Sequence, residues 1–92
     1  MNMKETIANA GNTEVPCYLV TKELGFKFSR VNAGEDNELW IAENSEGKFV
    51  ASNQLELLGL IYMRTIRGSD WKASDTEIDG YLADYYPKAL EE

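Results

Sequence analysis

The sequence predicts an α+β fold: a helix, a three-stranded antiparallel meander and two further helices packed as one small domain. Three observations lead there. From Phe26 the apolar period becomes two, with turn-forming residues at 32–37 and 44–47 dividing short strand-like runs. Asn53 with Glu56, and Ser74 with Glu77, then repeat the spacing that opens helices. Finally, 92 residues leave no room for a second core, since a domain needs at least about 50.

Residues 1–12 end in Ala10-Gly11-Asn12, which would break a helix begun at Lys4. They are expected to form a loosely ordered leader to a domain over residues 13–92. Thr13 is the expected N-cap of the first helix, with Glu14 and Pro16 in its first turn and Gly25 at its end. Val15, Tyr18, Leu19 and Leu24 would face the core. A strand over Cys17–Thr21 with a turn at 22–25 is the rival reading, and the helix is preferred.

Phe26 and Phe28 alternate with Lys27 and Ser29 in a first strand ending near Val31. A second strand is expected over Glu38–Glu43, with Trp40 and Ala42 on one face and Leu39 and Ile41 on the other. Asn44-Ser45-Glu46-Gly47 suits a tight hairpin with Gly47 in the left-handed region, returning the chain along Lys48–Ser52. Residues 54–67 form the central helix, closed by Gly68. Its apolar residues cover more than one stripe, which calls for cover on more than one side. Gly59 in its middle suggests the close approach of another backbone. The last helix runs from Ser74 to about Tyr86, before Pro87, and Ile78, Tyr81, Leu82 and Tyr85 share one face as expected core residues.

Composition excludes several function classes. There is no histidine and a single cysteine, which removes Ser/His and Cys/His catalysis, most zinc sites and any intrachain disulfide. Cys17 reads as a small core residue in a reducing compartment. No apolar segment reaches signal-peptide or membrane-spanning length, so a soluble cytoplasmic protein without a membrane partner is expected. The net charge of −7 opposes binding to phosphate backbones, and nucleic acid is not an expected partner. The acid is concentrated in two blocks. Residues 35–46 hold five acids and no base; residues 70–92 hold seven acids against Lys72 and Lys88. The simplest role for both is a solvated face.

Asp75, Glu77 and Asp79 with Gly80 resemble the first half of an EF-hand calcium loop, but its final bidentate Glu is replaced by Tyr86. The capped helix is the better reading of that segment, and no metal or cofactor is expected. Carboxylate pairs such as Glu43 with Glu46 imply no catalysis without a cleft, and no glycine-rich phosphate loop occurs, so the chain is not expected to be an enzyme. Helix, three strands, helix is also the element order of double-stranded RNA-binding domains. The chain carries Asn53, Gln54 and Glu56 where such a domain needs basic residues. In size, charge and element order it is similar to small phage-encoded acidic inhibitors of nucleic-acid enzymes, although no motif ties it to a named family.

Aromatic residues are interleaved with acids near the C-terminus, and Asp70, Trp71, Asp79, Asp84 and Tyr86 are the candidate partner-binding residues. Aromatic anchors supply interface energy while carboxylates steer a basic protein surface. The expected function is a small acidic, non-enzymatic interaction or inhibitor module. The alternatives are a small-ligand or calcium-binding domain, and a homo-oligomeric structural protein, a homodimer in the simplest case, whose central helix is covered by its own copy.

Overall fold

The computed structural model describes residues 4–90. Its elements are α1 (Glu14–Glu23), β1 (Lys27–Val31), β2 (Leu39–Glu43), β3 (Lys48–Ala51), α2 (Gln54–Arg67) and α3 (Asp75–Tyr85). Short 3-10 turns precede α1 at Gly11–Thr13 and follow α3 at Pro87–Leu90. Residues 4–10 are exposed and without regular structure. The strands form one antiparallel sheet in the order β1-β2-β3, and the fold is α+β as the alternation and capping signals require.

Register follows from the pleat. Phe28 pairs with Ala42 and Ala42 with Phe49, so these three share the inner face with Trp40 and Ala51 two residues along their strands. α2 lies across that face and inserts Leu57 and Ile61, which with Ala42 and Ala51 form the buried core; Phe26, Phe28, Trp40 and Phe49 close its edge. The aromatic contacts are edge-on, with ring centroids 6.3 Å apart for Phe28 and Trp40 and 5.8 Å for Phe26 and Phe49. On the outer face Val31, Leu39 and Val50 are exposed.

The first helix forms where expected but presents a different face. Cys17 and Thr21 are buried, whereas Val15, Leu19 and Leu24 are exposed. Two polar and aromatic contacts set this rotation. Both Glu14 carboxylate oxygens accept from the Gln54 backbone N–H at 3.1 Å, and Tyr18 lies against Phe28 with centroids 4.9 Å apart. Glu14, Cys17, Tyr18 and Thr21 are spaced as one helical stripe, and anchoring it at Glu14 and Tyr18 turns Val15 and Leu19 outward. The buried Thr21 hydroxyl donates to the Cys17 carbonyl at 2.9 Å, so it enters the interior without an unmet hydrogen bond. Thr13 precedes α1 as expected, yet its side chain caps nothing and bonds back to Asn9 and Ala10.

The hairpin between β2 and β3 is where it was expected, but Gly47 is not left-handed; the positive-φ glycines are Gly25, Gly34 and Gly68. The Asn44 side chain makes the turn instead, its Oδ1 accepting from the N–H groups of Glu46 and Gly47 at 2.9 and 3.0 Å. An Asx-type turn of this kind needs no glycine conformation. At α2 the Asn53 cap forms as spaced, but the reciprocal bond of a capping box falls one residue early, on Ser52 and not on Asn53. Asn53 accepts from the Glu56 N–H at 2.9 Å and Glu56 accepts from the Ser52 N–H at 3.2 Å.

No backbone passes close to Gly59, since a Cβ built there meets nothing within 4 Å. Gly59→Ala is therefore expected to stabilise the chain by about 1 kcal/mol through helix propensity alone. Thermal unfolding should show a Tm rise of roughly 4–8 °C, given the small entropy of unfolding of so short a domain.

Candidate interaction surface

α3 begins with a complete capping box: the Ser74 hydroxyl accepts from the Glu77 N–H at 3.1 Å and the Glu77 carboxylate from the Ser74 N–H at 2.8 Å. It does not complete the core as expected. α3 contributes no buried residue, and its substantial packing is with the 3-10 turn that follows it. Tyr81 is 58% exposed and Tyr85 70%, with Ile78 and Tyr86 also exposed and Leu82 partly so. These residues share one face as the spacing requires, but that face is turned to solvent. The physical reason lies in the connection. Arg67, the last residue of α2, donates through Nε to the Trp71 carbonyl at 2.8 Å and through Nη2 to Glu77 at 3.0 Å, tying the linker and the start of α3 to the end of α2.

At about 100° per residue, Ile78, Tyr81, Leu82 and Tyr85 form a ridge with Asp75 and Asp79 along one flank and Glu77 and Asp84 along the other. Tyr86 adds to it, its ring centroid 5.9 Å from that of Tyr81, which is itself 5.6 Å from Tyr85. Of the residues singled out in the sequence, Asp79, Asp84 and Tyr86 thus belong to one surface. Asp70 and Trp71 do not. Both lie in the linker, and Trp71 lines a groove of about 900 Å³ between α2 and the β2-β3 hairpin that no α3 residue enters. Phe26, Phe49, Leu60 and Met63 supply its apolar lining, with Lys48 and Arg64 opposed by Glu46. This groove was missed in the sequence; the signal for it was the excess of apolar positions on α2, of which Leu60, Tyr62 and Ile66 remain exposed.

The Glu77 carboxyl is held below the usual carboxylate range, first by the Ser74 N–H and then by the Arg67 guanidinium. The folded form therefore binds this proton more weakly than the unfolded chain. Its contribution to holding α3 is complete above the ordinary glutamate range and is lost as pH falls through the lowered value. An NMR titration of the Ser74 amide should show a midpoint below that of an ordinary glutamate. Glu77→Gln, which keeps the capping geometry without the charge, should abolish that transition.

Among the described residues no group of three or more His, Cys, Asp or Glu is arranged to hold a metal ion, and no helix is long and apolar enough to cross a membrane. A comparison with protein-family models finds no match to the chain, and comparisons with curated proteins and with solved structures find none either.

Proposed function

We propose that this chain is a non-enzymatic protein-interaction or inhibitor module that presents the α3 ridge to a basic protein surface. The observation that carries the reading is a capped helix whose aromatic stripe is excluded from its own core and bordered on both sides by carboxylates. Exposed tyrosines in a cluster are effective interface anchors, because they bury much area at little conformational cost. The flanking acids give such an interface its electrostatic steering. A protein is favoured over a nucleic acid by the N-terminus of α2 as well as by net charge: Glu14 and Glu56 already occupy the amides of Gln54 and Ser52 there.

The test is kinetic. A partner captured from the source cell at low salt and released at high salt should associate more slowly with the Asp79→Asn, Asp84→Asn double variant at low ionic strength. The difference should vanish as salt rises, because screening removes steering first. Equal association rates at low salt would contradict the reading. Both side chains are exposed and uninvolved in caps, so folding should be unaffected.

A further inference from the structure

We infer that the groove between α2 and the β2-β3 hairpin receives α3 from a second copy of this chain, so that two chains exchange their last helices across a twofold axis. Each chain carries both halves of such a contact. Ile78, Tyr81, Leu82 and Tyr85 are spaced i, i+3, i+4 and i+7, the pattern of an amphipathic helix that lies in an apolar groove. Leu60, Met63, Phe26 and Phe49 supply the apolar lining. The chain's own α3 does not line it, and Arg67 ties the linker and the start of α3 to the end of α2 through the Trp71 carbonyl and Glu77.

Charge names the second copy, and the exposed area allows it. α3 carries Asp75, Glu77, Asp79 and Asp84 and no basic residue, and it would meet Lys48 and Arg64 against the single acid Glu46. The net charge of −7 on each chain is screened beyond about 8 Å at physiological ionic strength, which leaves the apposed groups to decide. The chain exposes 7737 Å², against about 5,400 Å² for a compact monomer of its mass. Its radius of gyration is 16.8 Å where about 12 Å is usual. Residues 4–10 account for part of this excess. The remainder can still supply the roughly 800 Å² per partner of a standard interface, and an exchanged pair of helices is a symmetric, closing way to bury it. The exchange uses the same ridge as the basic-partner reading, but its groove half is independent of that reading.

Sedimentation velocity on the full chain over a range of concentrations tests the exchange. The unmodified chain should pass from monomer to dimer. Tyr81→Ala with Tyr85→Ala removes the ridge, and Leu60→Glu places a carboxylate in the groove; each should stay folded by circular dichroism and raise the dimer dissociation constant at least about 100-fold. Lys48→Glu, on the hairpin, is a second groove variant with an exposed side chain and should weaken the dimer in the same direction. Mixed one to one, the ridge-deficient and Leu60→Glu chains should recover a heterodimer, because one intact ridge then faces one intact groove. A monomer at every concentration would overturn the exchange, as would undiminished dimerisation of both groove variants or a mixture that stays monomeric. Leu60→Glu should still bind a basic partner, so loss of that binding would count against the interaction reading and not against the exchange.

Discussion

Leu57→Ala is expected to destabilise the chain by about 3 kcal/mol, the usual size for a fully buried leucine whose cavity cannot collapse. Leu57 has no exposed surface and sits with Ala42, Ala51 and Ile61 at the centre of a small core. The alanines beneath it cannot reach into the space it would leave. Thermal unfolding should show a loss of at least about 12 °C, since each kcal/mol moves Tm by roughly 4–8 °C in a domain of this length. A chain of this size has a total stability of only about 5–14 kcal/mol, so the variant should lose roughly a fifth to three-fifths of it. An unchanged Tm would mean that α2 does not insert this residue between the sheet and the helix.

The ridge should behave in the opposite way. Tyr81→Ala with Tyr85→Ala should move the Tm of the dilute chain by no more than a degree or two, because both rings are largely in solvent and touch mainly each other and Tyr86. Binding to a basic partner should fall at least about 30-fold, the loss that follows from removing a single anchoring aromatic. Circular dichroism separates the two effects by showing that the helix survives. A large loss of Tm with no loss of affinity would place the tyrosines in the core, as their spacing alone suggests.

What could be read from the residues was local. The hairpin, the Asn53 cap, the capping box at Ser74, and the division of β2 into two faces each depend on residues within a few positions of one another. The rotation of α1 was not legible, because it is set by a bond from Glu14 to Gln54, 40 residues away. Hydrophobicity pointed to Val15 and Leu19, and a half-buried polar anchor outweighed it. Gly47 was assigned the backbone geometry of the turn when the Asn44 side chain supplies it. For the site, periodicity correctly grouped Ile78, Tyr81, Leu82 and Tyr85 on one face, and composition drew Asp79, Asp84 and Tyr86 toward the same surface. Neither says what covers a face. That depends on how the chain leaves α2, where Arg67 bonds the Trp71 carbonyl and Glu77, and nothing in its immediate sequence marks Arg67 for those contacts.

On the proposed function, α3 carries its apolar stripe for another molecule and not for its own core. Amide hydrogen exchange on the full chain, at a concentration where it is monomeric, tests it most directly. The account predicts that the α3 amides exchange well before those of Leu57 and Ile61 in α2, and that they gain protection as the concentration is raised. Amides of α3 as slow as those of α2 at the dilute limit would contradict it, because the helix would then be held by its own chain.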